Sequence, residues 1–348
     1  MRAGARSFTP RIRYTARMTE DIAGYKATAR LYNALMTGLV LTLVSRKGAE
    51  DARRFVFAHF RRQHLEKFLP GLKKLGLDAL PDAVACAQYH YFSNALGGVK
   101  TEYVAESARK AWVRYPPPRW IWQGTAICAV PRKVNEAMLH GWHGHNGVSL
   151  SNPRLGFVCT GQTVEGDAGL EGYYFEYERD IAAEERVRFA PDERMPKFDP
   201  AHAPKLDSAG WPEARLRKVE RSYAMEYVRS LLPTMQELFG PEEATALVGR
   251  TARLIGLQFF EETFAMTGAT SFARYLAAMQ EAQGERVELR GDSVVQQGWR
   301  LMDGVTLADA DRAFEAWNVL WEGALAAHDR DRTLLTKRAG DSIIWRIT

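Results

Sequence analysis

Only three cysteines, Cys86, Cys128 and Cys159, occur in the 348 residues, far apart, odd in number and without a CxxC pair. That argues against a disulfide-framed secreted domain and a thiolate zinc cluster, and leads us to expect a reducing, cytoplasmic setting. No P-loop, no GxGxxG after a strand, no HExxH and no GxSxG is present, so nucleotide-driven and serine-hydrolase chemistry have no motif behind them. Long apolar runs are lacking as well. Leu39 to Val44, even extended back to Ala34, is well short of the roughly 20 residues that span a bilayer, and no membrane partner is expected.

Acid is missing from residues 1–17, where Arg2, Arg6, Arg11, Arg13 and Arg17 account for the whole formal charge of +5. The remainder is neutral, so the clustered basic patch of a nucleic-acid binder is not expected either. Residues 1–20 read as a disordered basic leader, with Met18 as an alternative start of the folded part.

What is present is organised around Trp120 to Glu178, which holds two of the cysteines and three of the eight histidines. Before it, leucines 31, 35, 39 and 43 have helical spacing, and a helix is expected over 21–47. A second is expected over 51–68, closed by Pro70-Gly71, and a third from Pro81 to Leu96, ended by Gly97-Gly98. Strands are expected over 99–104 and 109–115, then over 120–130, with a helix from Pro131 that delivers His140, His143 and His145 into a loop. Residues 154–160 and 171–178 read as a final strand pair turned at Gly166-Asp167. Five prolines between Pro191 and Pro212 mark 181–222 as a linker or surface strap.

The second half echoes the first. At an offset of 186, Tyr89 meets Tyr275, Gly98 meets Gly284, Glu102 meets Glu288 and Ser107 meets Ser293; one residue later Trp112 meets Trp299. Gly166-Asp167 answers to Gly340-Asp341, and the helix over 51–68 to one over 242–264. The expectation is an α+β fold of two similar modules, helices followed by antiparallel sheet, produced by internal duplication. The first module spans 21–180 and the second 223–348; a homodimer is compatible with either. The second module lacks the cysteine and histidines, so the first is expected to be active and the second structural.

The chemistry rests on few residues. The H-x2-H-x-H spacing of His140, His143 and His145 could converge on a divalent ion such as zinc and activate water, or could form a metal-free polar pocket. Cys128 is either a nucleophile, given a nearby histidine, or a buried apolar residue. Glu102 is either a general base or, with Glu288, a repeated structural residue. Tyr89, His90, Tyr91, Trp120, Trp122 and Trp142 are either core residues or the walls of a flat pocket for a ring-bearing ligand, with Asn146 as a polar contact and Arg154 as either a clamp for a carboxylate or one side of a surface ion pair.

Cys128 followed by a helix, then Asn152-Pro153-Arg154-Leu155, a strand, Thr163, Gly166-Asp167 and an aromatic strand resemble the L-2-amino-thiazoline-4-carboxylate hydrolase-like family. That family is itself similar in outline to the small-ligand-binding domains named after 4-vinyl reductase. The resemblance covers about 60 residues of the first module. It implies a ligand pocket and hydrolysis of a cyclic C–N bond. The family pattern places a cysteine shortly after the Gly-Asp pair, where this chain has Leu170 or Gly172, which leaves Cys128 as the one carried-over thiol. The functional expectation is a hydrolase or lyase acting on a small cyclic or aromatic, carboxylate-bearing substrate; the alternative is a non-catalytic small-molecule sensor.

Overall fold

The four-residue spacing of Leu31, Leu35, Leu39 and Leu43 produces a long buried helix, and the chain is α+β as its pattern indicates. The computed structural model describes residues 10–206 and 212–348. Helix α1 runs Pro10–Arg46, so residues 10–20 continue a helix where the sequence suggests a disordered leader. Residues 1–9 lie outside the described residues. The stretch Ile22–Arg46 is long and apolar enough, by length and composition alone, to cross a membrane. Here its leucines pack inside the protein, with Leu31, Leu35, Leu39 and Leu43 each at most 1% exposed.

Helix α2 (Ala49–Lys74) runs through Pro70 instead of stopping there. The proline has no N–H, so the Glu66 carbonyl loses its helical donor without ending the helix. Helix α3 (Asp82–Leu96) begins after Pro81 and ends at Gly97. Strands β1 (Glu102–Ser107) and β2 (Lys110–Tyr115) form a hairpin.

No strand forms over 120–130. Trp122 sits at φ 60, its indole donating to Asn135 at 3.0 Å and its backbone N–H to Thr37 of α1 at 3.2 Å. Those two tethers pull the chain out of an extended path, and Gly124–Ala129 winds into a 3-10 turn. Helix α4 (Arg132–Gly141) starts after Pro131, and the histidine stretch continues as a 3-10 turn and the one-turn α5 (Asn146–Ser149) rather than as a loop. Strands β3 (Leu155–Gly161) and β4 (Leu170–Glu176) extend the sheet in the order β1-β2-β4-β3.

The expected linker does more than connect. Val187–Phe189 forms β5, parallel to β3 at the sheet's edge. Met195 and Phe198 then cover Trp112, Val158 and Tyr173 on the sheet's outer face. Helix α6 (Glu213–Thr267) follows, with Gly240 between its two arms at φ 78, ψ 158. After it come α7 (Phe272–Ala282), β6 (Arg286–Arg290), β7 (Ser293–Gln297), α8 (Ala310–His328), β8 (Leu334–Ala339) and β9 (Ser342–Ile347). The second sheet has the order β6-β7-β9-β8.

Element order and strand order thus recur between the halves. Gly48, between α1 and α2 at φ 90, ψ 169, matches Gly240 in conformation. Residue-by-residue equivalence at the 186 offset does not carry through the hairpins. Ser107 ends β1, whereas Ser293 opens β7. Trp112 lies within β2, whereas Trp299 lies beyond β7, packed against Trp317. The reason is length: β1 reaches its turn later after Gly98 than β6 does after Gly284.

The halves are also not separate modules, because one apolar core runs through both. Tyr32 of α1 is buried in the second half, where its hydroxyl donates to Gln283 at 2.7 Å and accepts from Trp317 at 3.2 Å. Tyr223 of α6 reaches back to the first half and donates to Asn94 at 2.8 Å. Gly97 allows that approach, since a Cβ there would lie 2.7 Å from the Tyr223 ring. Each half's long helix therefore finishes the other half.

Candidate functional site

Between α2, α3, β2, α4 and the first arm of α6 lies a cavity of about 390 Å³, within the range of small-ligand sites. Its walls are rings: Tyr89, Tyr115, Trp120, Trp142, Tyr223 and Tyr227, with Phe60, Met138 and Leu170 between them. Tyr89 and Trp142 lie near-parallel at 6.3 Å. Trp120 donates to the Tyr227 hydroxyl at 2.7 Å, which fixes one wall from the α6 side. Lys67 and Glu226, both lining residues, form a 3.0 Å ion pair between α2 and α6.

Two histidines line the cavity. His90 of α3 and His143, just after α4, stack at 4.3 Å with an interplanar angle of 16°. Burial, reinforced by His64 and Arg119, lowers the pKa of His143 to about 3. Burial, then the neighbouring His143, takes His90 well below its usual range. Both are neutral at physiological pH, because burial makes a charge on either ring costly to desolvate. His90 Nε2 and Trp142 Nε1 are buried without a partner among the described residues.

Beside these rings sits Arg119, which sequence reasoning missed. It is 6% exposed, and its guanidinium lies 4.8 Å from the centroid of Trp120 and 5.8 Å from that of Tyr115. Among the described residues its Nε and Nη2 have no hydrogen-bond partner. Burial lowers its pKa to about 10, partly opposed by Tyr115, Tyr227 and Tyr223, so it stays charged.

The other expected residues disperse. His140 is exposed at the end of α4, 6.4 Å from the Phe189 ring. His145 turns to His64, 5.2 Å away, and burial lowers its pKa to about 4. His140, His143 and His145 do not converge, and among the described residues no group of three His, Cys, Asp or Glu side chains could hold a metal ion.

Cys128 is exposed on the 3-10 turn, outside the apolar setting its neighbours suggest and absent from the cavity wall. Glu102 accepts from Arg114 Nε at 2.8 Å across the β1–β2 hairpin; Glu288 pairs instead with Arg290 on its own strand, at 2.7 Å. Arg154 lies on the surface, where its Nη2 is tied to Glu176 at 2.5 Å, and it is not part of the cavity wall. Trp122 is core, and Tyr91 packs toward Tyr103 and Phe198. Asn146 is buried and donates to Tyr174 at 3.0 Å.

Fold and cavity define an α+β chain with a ring-walled pocket completed by the helix of its opposite half. Comparison of this chain with protein-family models, with curated proteins and with solved structures finds no match.

Proposed function

We propose that the chain binds a small ring-bearing carboxylate in the cavity of the first half. The observation that carries this reading is Arg119, a buried cation with unpartnered N–H groups that packs against the wall residues Trp120 and Tyr115 without itself lining the cavity. Leaving an ion buried and unpaired costs several kcal/mol even after relaxation. Stacking over Trp120 and Tyr115 returns part of that, about 2 kcal/mol for a desolvated cation over a ring. A carboxylate paired with Arg119 would supply the missing partner, and the flat walls suit a ring.

A second reading, hydrolysis or lyase chemistry on the same ligand, is favoured by the two neutral histidines on the wall and the free Nε2 of His90. It would proceed by histidine acid/base or hydrogen-bond catalysis, with neither Cys128 nor Arg154 taking part. The resemblance to the L-2-amino-thiazoline-4-carboxylate hydrolase-like family supports this class of ligand and remains part of the proposal, as does an origin of the two halves by duplication.

The test is a panel of one- and two-ring carboxylates and their matched carboxamides, followed by thermal shift and by mass spectrometry. A ligand that binds only the native state raises its apparent stability by mass action. Carboxylates that stabilise without new masses support the binding role, and a product mass supports turnover. Stabilisation by neither acids nor amides would contradict the pocket reading.

A further inference from the structure

The two histidines on the cavity wall are not equivalent, because only one has its tautomer set by its surroundings. His143 is 5% exposed, and its Nδ1 lies 2.6 Å from the Tyr174 hydroxyl. That hydroxyl also lies 3.0 Å from Asn146 Nδ2, which can only donate. A phenol has one proton. With its acceptor side filled by Asn146, Tyr174 gives that proton to His143 Nδ1. The ring is uncharged, so its own proton must sit on Nε2.

We infer that Tyr174 fixes His143 as the Nε2–H tautomer, so that His143 serves the pocket as a neutral hydrogen-bond donor and Tyr174 is its positioning residue. The ligand group it takes is an acceptor oxygen, a carbonyl or carboxylate. Such a donor, held in a dry site, stabilises negative charge developing on oxygen without releasing a proton, the role neutral histidine plays in some isomerases. His90, stacked on the same ring with Nε2 unpartnered among the described residues, has no such neighbour and is free to adopt either tautomer. The chain Asn146–Tyr174–His143 thus distinguishes two residues of identical chemistry. The ligand contact rests on the pocket reading above; the tautomer does not.

The experiment uses the full chain labelled with ¹⁵N at histidine, with long-range proton–nitrogen correlation spectra at neutral pH. His143 is assigned by its disappearance in His143→Gln. The expected wild-type pattern is a protonated Nε2 and a bare, accepting Nδ1. Tyr174→Phe should convert it to an averaged mixture. Asn146→Ala should do the same with the phenol retained, because the hydroxyl is then free to accept as well as to donate.

A wild-type His143 protonated on Nδ1, or on both nitrogens, overturns the inference, as does a pure Nε2–H pattern persisting in both variants. Indole-3-carboxylate added to wild type should quench tryptophan fluorescence and move the Nε2–H resonance. Quenching without that movement overturns the contact and leaves the pocket reading in place. The absence of both overturns the pocket reading, and the contact with it.

Discussion

Stability should fall steeply as pH drops from neutral to about 5, well before most carboxylates are protonated, because the fold buries histidines that cannot carry charge. His59, His64 and His143 each have a pKa lowered from 6.5 to about 3, with burial the largest cause in every case. A base whose folded pKa is depressed contributes stability that is fully present above its unfolded pKa and is lost as pH falls, since the unfolded chain takes up the proton first. At pH 5 each such histidine has given up about 2 kcal/mol relative to neutral pH. The three together amount to on the order of 6 kcal/mol, comparable with the whole stability of many domains. His90 acts in the same direction.

The assay is urea unfolding followed by far-UV circular dichroism at half-unit steps from pH 7.5 to 5. His59 provides the internal control: both its ring nitrogens are buried without partners among the rings of Phe55, Phe60 and Tyr227. His59→Leu should remove about 1 kcal/mol per pH unit from the slope between pH 7 and 5 and should be at least as stable as wild type at pH 5. A wild-type stability that is flat over this range would refute the reasoning, as would an unchanged slope in His59→Leu.

Other outcomes follow from single positions. Gly48 and Gly240 adopt positive φ, and a Cβ at either would meet no atom within 4 Å, so Gly48→Ala and Gly240→Ala should each cost about 1–3 kcal/mol through backbone strain alone. Urea midpoints measure this, and no loss in either would mean that the breaks after α1 and within α6 do not need glycine. Cys128 is exposed whereas Cys86 and Cys159 are buried, and burial pushes the Cys159 thiol up to about 12. A maleimide should therefore modify one thiol in the native protein, and Cys128→Ser should leave ligand binding and any turnover unchanged; loss of turnover would place the chemistry at the 3-10 turn.

Local pattern is enough to read most elements. Pro81 and Gly97 bound α3, Pro131 starts α4, and Gly166 turns β3 into β4 at φ 93, because each of these depends on backbone preferences of one or two residues. Trp120 to Val130 reads as a strand but is not one, since its course is set by two distant tethers, Thr37 and Asn135, that act on Trp122. Pro70 looks like a stop, although burial of Phe68 and Leu72 on either side holds the helix together.

The site is half legible. His90, His143, Trp120, Trp142 and Tyr89 do share one cavity, but Tyr223 and Tyr227 come from the other half of the chain, and no local pattern announces an exchange of helices. Arg119 has a visible signal: no acid stands between Glu106 and Glu136, so an arginine there, between prolines and tryptophans, has no local partner. Arg154 draws attention instead, and Glu176 neutralises it across β3 and β4.

In the proposed function, Arg119 pairs with an anion carried by a ring. The most direct measurement is calorimetric titration of one aromatic carboxylate and its carboxamide into wild type, Arg119→Lys and Arg119→Met. Loss of a buried charge-assisted pair is worth about 2–5 kcal/mol, and the acid is therefore expected to bind wild type at least ~30-fold more tightly than the amide. Arg119→Lys should keep part of this preference, and Arg119→Met should abolish it while still binding the amide. Equal affinities of acid and amide for wild type, or a preference that survives in Arg119→Met, would contradict it.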